Sequence, residues 1–517
     1  MLVAALASGC DKFLDTLPDN RTTLDSEEKI KSMLVSAYPS TSFMLVTEFM
    51  SDNVDDMGES NPYHDRFIDQ VYHWEDITEA DNEDTESIWN SSYGAIASAN
   101  HALEAIDQLE KENGVSDGLE EARAEALLCR AYNHFVLVNV FCQQYDSAMA
   151  DSLLGIPYSL EPERMLAPQY ERGTVAQVYD LIDKDIQAAL PKVNDYYTIA
   201  KYHFNQRAAY AFAARFYLYY EKWDLAEKYA TMCLGETPAT LLRDWDVMGA
   251  MDTDEKVLTR HYVESNLNCN FLLMTAYSSM GLAFTNYYMY ARYCHNSYLS
   301  ESEDYLARQI WGSGDDRYYM RPFTYLGNNI DRVVIMKLPY LFEYTDPVAQ
   351  IGYYRTVYPA FTADECLLNR AEARIMQDKY DDAAKDLETW MLNIIERPST
   401  KTLTTSSIVK FYNGVSNSTW NSGTVKKQLN PKFDIGKAGG TKEAMLQCVV
   451  GFRRIETLQT GLRWFDIKRY GIEIERRVMS AAGRPSYKTD VLKVDDPRRA
   501  IQIPMKVRSA GLEANPR

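Results

Sequence analysis

The chain has 517 residues, 46% of them hydrophobic and 12% aromatic, which is enough for a large buried core and excludes global disorder. With 74 acidic residues against 54 Lys and Arg, the net charge of −20 repels phosphate backbones and excludes a nucleic-acid partner. This length suits roughly three ordinary domains, or one large helical body with insertions. The 37 tyrosines suit both wet cores and recognition surfaces, because each ring carries an apolar face and a polar handle.

The first ten residues, Met1-Leu-Val-Ala-Ala-Leu-Ala-Ser-Gly-Cys10, resemble the end of a bacterial lipoprotein signal. Small residues fit the peptidase groove, and the thiol accepts the acyl chains. Leu6 sits one place further from Cys10 than usual and the basic start of a signal is missing, so the translation start is expected upstream. No stretch reaches the ~20 apolar residues of a spanning helix. His134 to Cys142 reads as one buried helix. Lipidation of Cys10 leaves seven of the eight cysteines, an odd number that cannot all pair. Cys129, Cys142, Cys233 and Cys366 lie in apolar helical stretches; Cys269 and Cys294 could pair, though nothing in the spacing demands it.

From Thr85 to Leu109, Trp89, Tyr93, Ile96 and Asn100 mark one face of a helix. Gly114 and Gly118 interrupt the chain before a second helix over Leu119–Phe141. Gly155-Ile-Pro-Tyr158 reads as a turn and an extended passage, and Thr174 caps a helix that runs to Leu190. Asn205–Leu234 and Ala363–Trp390 align on Trp223 and Tyr380, which matches Ala214 with Ala371 and Ala226 with Ala383. The pattern resembles the tetratricopeptide hairpin, whose alanines let two helices approach closely. Between about 240 and 360 helical periodicity fades into mixed Asn, Gly, Ser and aromatic residues, and 395–440 is rich in Ser, Thr, Asn and Gly. Long irregular insertions in a helical body are commonly functional.

Enzymatic motifs are missing: the sequence has no H-E-x-x-H, no G-x-S-x-G and no Walker loop. Glycoside hydrolysis needs a carboxylate pair at a set separation, which the sequence does not nominate. No C-x-x-C marks a zinc site. Asp52-Asn-Val-Asp-Asp56 and Asp81-Asn-Glu-Asp84 lack calcium-loop spacing and read as solvated acidic loops. Arg463-Trp-Phe-Asp466 reads as buried ion pairing with packed aromatics, and Trp89, Tyr93 and Asn100 read as core.

Ordered motifs resemble the SusD/RagB family of nutrient-binding outer-membrane lipoproteins of Bacteroidetes. They are Phe13-Leu-Asp15 with Pro18, Tyr72-His-Trp74, Trp89 with Tyr93 and Asn100, Arg130-Ala-Tyr132, Gly155-Ile-Pro-Tyr158 and Arg172-Gly-Thr-Val175. Asp315-Asp-Arg317, Glu365–Ala373, Gly461–Gly471 and Ile503-Pro504 continue the order. Phe452-Arg453 departs from the family's Glu-Arg pair, and Arg517 ends short of its Gly-Tyr close.

The resemblance implies a mainly α, SusD-like body with scattered tetratricopeptide-like hairpins and long irregular insertions. Residues 1–9 would be a signal remnant, 10–240 and 361–517 the two halves of the body, and 241–360 an irregular, aromatic-rich ligand region. It further implies a lipid anchor at Cys10 on the cell surface and delivery of a captured glycan to a SusC-type TonB-dependent transporter. No catalysis, cofactor or metal is implied. In such proteins irregular segments hold the ligand. Two segments fit: 52–84, with Asp52, Arg66, Tyr72 and Trp74, and 286–325, with Tyr287, Tyr288, Tyr290, Arg292, Trp311 and Arg321. A peptide is the alternative ligand within the family, an intracellular helical-repeat adaptor the alternative outside it.

Overall fold

Capped helices build the first half. In the computed structural model, which describes residues 24–165, 169–284, 289–312, 322–396 and 402–517, Asp84 caps the helix Thr85–Asn113 and Ser116 caps Asp117–Phe141. Thr174 and Gln177 form a reciprocal capping box at Val175–Ala189. These three helices meet at Arg130, which donates to Asp185 at 2.7 and 2.8 Å and to Asn100 at 3.0 Å. The buried run His134–Cys142 and the core positions of Trp89 and Asn100 are as expected.

Two helical hairpins follow the same design. Gln206–Tyr219 turns into Trp223–Leu234, and Ala363–Met376 turns into Tyr380–Ile394. Ala214, Ala226, Ala371 and Ala383 are all buried, so the helix axes approach closely where a larger side chain would collide. Both turns bend through a left-handed residue at the same position, Glu221 at φ 59° and Asp378 at φ 60°. Arg215 joins the hairpins by donating to Glu365 at 2.7 Å, and Arg374 reaches Glu227 at 3.1 Å.

Among the described residues nine strands complete the body: β1 (Asp55–Asp56), β2 (Asn270–Tyr277), β3 (Tyr293–Cys294), β4 (Phe323–Gly327), β5 (Ile330–Val334), β6 (Leu341–Asp346), β7 (Ile351–Thr362), β8 (Ile474–Met479) and β9 (Pro485–Leu492). They form sheets in the orders β3-β1-β8-β9, β2-β7-β6 and β4-β5. The stretch 241–360 is therefore less irregular than its sequence suggests. In β7, tyrosines fall on both faces and its first half stays partly exposed, so no two-residue hydropathy period marks the strand.

The first sheet ties the ends of the chain together, since Asp56 pairs in parallel with Val478. Around this junction the helix Arg463–Arg469 is wholly buried. Arg463 donates to Asp52 at 2.8 and 2.9 Å, and Arg453 donates to Asp466 at 2.8 Å, so the Arg-Trp-Phe-Asp run is an ion-paired scaffold element. Cys269 and Cys294 are both free and buried, as are Cys129, Cys142, Cys233, Cys366 and Cys448. Among the described residues no helix is long and apolar enough to cross a membrane.

Candidate ligand-binding site

The two segments singled out in the sequence meet. Asp55 and Asp56 pair antiparallel with Cys294 and Tyr293, and a bridge joins Tyr63 to Ala291. The Tyr63 backbone donates to the Tyr290 carbonyl at 3.2 Å, and the Arg292 backbone donates to that of Tyr63 at 3.1 Å. The junction leaves a cavity of about 220 Å³ lined by Tyr63, His64, Asp65, Asp81, Ser279 and Tyr293, with Phe49 and Phe67 as apolar lining.

Two aromatic rings at the junction face solvent: Tyr63 is 53% exposed and Tyr290 40%, with centroids 6.3 Å apart. Their shoulder is polar. The Asp69 carboxylate accepts the Tyr293 hydroxyl at 2.8 Å and sits 2.8 Å from Nδ1 of His64, which fixes both rings. Behind them Tyr293 stacks on Tyr72 at 4.2 Å. The Arg476 guanidinium lies over Tyr72 and Trp74, at 3.9 and 4.3 Å from the ring centroids. It also donates to the carbonyls of Tyr72, Ser51 and Phe49 at 2.8–2.9 Å. A rigid polar and aromatic layer thus backs the exposed tyrosines. Burial raises the Asp81 carboxyl above the ordinary Asp range, and the Asp65 and Asp84 charges push the same way.

The expected site residues divide. Tyr290 stands at the cavity junction. Arg66 is exposed and 3.2 Å from Glu79. Arg292 is held by Asp56 in a two-pronged pair at 2.9 and 3.0 Å, which orients the strand more than it offers a hand to ligand.

Four expectations are corrected. Tyr72 and Trp74 are buried beneath Arg476, and the Trp74 indole N–H donates to the Met50 carbonyl at 2.9 Å. Trp311 is buried against Phe452, with rings 5.4 Å apart. Asp52 is buried too; burial opposes its charge, but Arg454 and Arg463 hold its carboxyl well below the usual range. These side chains are held in the interior and support the surface, although Asp52 also lines a second cavity with Asp55, Glu303 and Trp420. The acidic run Asp52–Asp56 is not solvated either, because Asp55 takes Arg477 at 2.9 Å and Asp56 takes Arg292. Tyr287, Tyr288, Arg321 and Cys10 lie outside the described residues.

Sequence reasoning missed Tyr63, His64, Asp65, Asp69, Asp81, Ser279 and Tyr293. Asn61-Pro-Tyr-His-Asp65 carries the local signal, a proline-braced pair of rings ahead of Asp65, which caps Arg66–Tyr72 through the Ile68 N–H at 2.8 Å.

Residues 12–218 match the model of a SusD-like family described as starch-binding associating with outer membrane. No curated protein matches the sequence. A SusD superfamily protein of Bacteroides thetaiotaomicron has the same fold, with a TM-score of 0.65 at 16% identity over 96% of this chain and 100% of its own. A SusD-like carbohydrate binding protein of Bacteroides vulgatus aligns with a TM-score of 0.64 at 14% identity, covering 94% of this chain and 96% of its own. A SusD superfamily protein of Bacteroides fragilis gives a TM-score of 0.64 at 15% identity over 95% and 99%.

The fold thus defines a mainly helical body of the SusD type. The N-terminal 12–218 stretch is similar to a SusD-like family, and the fold of nearly the whole chain is that of SusD superfamily structures.

Proposed function

We propose that this protein is a cell-surface lipoprotein that captures an oligosaccharide and hands it to a TonB-dependent transporter of the SusC type. The observation that carries the reading is the exposed pair Tyr63 and Tyr290, braced by a buried polar layer at the junction of two irregular segments. Sugar rings carry C–H faces that lie flat on aromatic rings, and their hydroxyls need convergent polar groups. Tyr63 and Tyr290 supply the faces; His64, Asp65 and Asp81 supply the polar groups. The mechanism is capture and release, with no bond made or broken. The family model's outer-membrane description and the sugar-binding description of the Bacteroides vulgatus relative favour a glycan.

Calorimetric titration with a panel of oligosaccharides and short peptides tests this. At least one glycan is expected to bind saturably, and the double variant Tyr63→Ala/Tyr290→Ala weakens it about tenfold, ~1.4 kcal/mol, with an unchanged melting temperature. Saturable binding of peptides without any glycan moves the protein to the peptide-binding branch.

The same reading makes Cys10 the acylated first residue of the mature protein. Two acyl signals suffice for a stable anchor at ~0.8 kcal/mol per buried methylene. Cys10→Ser is expected to move the protein from the membrane fraction to the soluble one while leaving ligand affinity intact. A wild-type protein already free of acyl mass and membrane would point to a helical-repeat adaptor instead.

A further inference from the structure

Glu83 lies two residues past the cavity-lining Asp81 and is 1% exposed. One carboxylate oxygen accepts the Ser278 hydroxyl at 2.5 Å; the other accepts the Ser279 backbone N–H at 2.6 Å and the Ser279 hydroxyl at 2.9 Å. Ser279 lines the cavity and leads into the short helix Met280–Ala283, whose last residue also lines it. On its own side Glu83 is anchored through its backbone N–H, which donates to Asp81 at 2.9 Å, next to Asp84 at the cap of Thr85–Asn113. A single buried carboxylate therefore ties the entry of the longest helix to one wall of the cavity.

The chemistry of that tie depends on its proton. Three donors converge on Glu83, and among the described residues no cation pairs with it. The ionised carboxylate satisfies all three at once. When protonated, one oxygen becomes a donor and a serine hydroxyl turns to accept from it, so the neutral carboxyl keeps its partners without burying a charge. Burial pushes the Glu83 carboxyl up to about 7, against the lowering by Ser278 and Ser279, and the Asp81 charge adds to the rise. Other charges around it are Asp84 on its own loop, and His64 and Asp65 across the cavity. Beyond β2, Arg355 lies 4.6 Å from the Tyr277 ring centroid and pairs with Glu343.

We propose that Glu83 is a positioning residue of the ligand site, holding the Ser278–Ala283 wall in place when protonated and loosening it when ionised, because its uncompensated buried charge is then drawn towards water. Its consequence for affinity rests on the glycan-site reading; its effect on the wall does not.

Hydrogen exchange on the full-length protein, read by mass spectrometry over 277–284 at pH 6 and pH 8 and corrected for intrinsic exchange, tests the proposal without any ligand. Protection of this segment is expected to be about tenfold higher at pH 6 than at pH 8 in the wild type, because the closed wall binds the Glu83 proton more tightly than the opened one does. Glu83→Gln should lose that pH dependence, while His64→Ala keeps it. Fragments from Asp117–Phe141 report global opening and are expected to keep one protection level at both pH values in all three proteins. A flat wild-type profile, a Glu83→Gln profile like the wild type, or a profile abolished by His64→Ala would each overturn it. The outcome is independent of the glycan titration, so either idea can fail alone.

Discussion

Lys468, within the buried Arg463–Arg469 helix, donates to the carbonyls of Asn139 and Cys142, both at 2.6 Å. Burial holds its folded pKa down to about 7, while the same lysine in an unfolded chain titrates near ~10.4. Between these values the unfolded chain binds the extra proton, so this residue's contribution to stability rises with pH from 7 towards 10. Denaturant unfolding should show wild-type stability gaining on Lys468→Met by at most ~1.4 kcal/mol per pH unit over that window. An equal pH dependence in the two proteins would show that Lys468 titrates normally. At this scale the sequence is ambiguous, because Arg, Asp and Trp serve ligand sites and buried scaffolds alike. Trp74 and Trp311 have the composition of sugar platforms and sit in the core. Tyr63 and His64 lie at the cavity and belong to no periodic pattern that would have flagged them.

Elements were more legible where spacing is dictated by packing. The alanines at matched positions announce close helix pairs, and the structure supplies Gln206–Tyr219 with Trp223–Leu234 and Ala363–Met376 with Tyr380–Ile394. Ala383 is fully buried, so Ala383→Leu inserts methylenes where no space exists. It is expected to cost about 1–3 kcal/mol in thermal or denaturant unfolding while leaving ligand affinity unchanged. A neutral effect would mean that the two helices are not closely packed there. The strands were hidden for the opposite reason: β6 is mostly exposed, and β7 carries tyrosines on both faces, so residue type does not alternate even where burial does. The pairing of β1 with β8 joins two short strands from opposite ends of the chain, a contact that local pattern cannot encode.

For the whole molecule, the order of motifs from the N-terminal third to Ile503-Pro504 signalled a SusD-like body, and the fold bears that body out. The segments 52–84 and 286–325 were legible as irregular aromatic stretches, while their meeting and the side chains that line their cavity were not. The long-range ion pairs explain the difference. Asp52 with Arg463, Asp55 with Arg477 and Asp56 with Arg292 draw an acidic loop inward and leave the neighbouring Asn61–Asp65 stretch to carry the surface. The central claim is that this surface, at Tyr63 and Tyr290, is where a glycan sits. A crystal structure of the protein with a bound oligosaccharide tests it most directly. Sugar density stacked on Tyr63 or Tyr290, with hydroxyls within hydrogen-bond reach of His64, Asp65 or Asp81, is the predicted result; well-ordered sugar elsewhere with this cavity empty would contradict it.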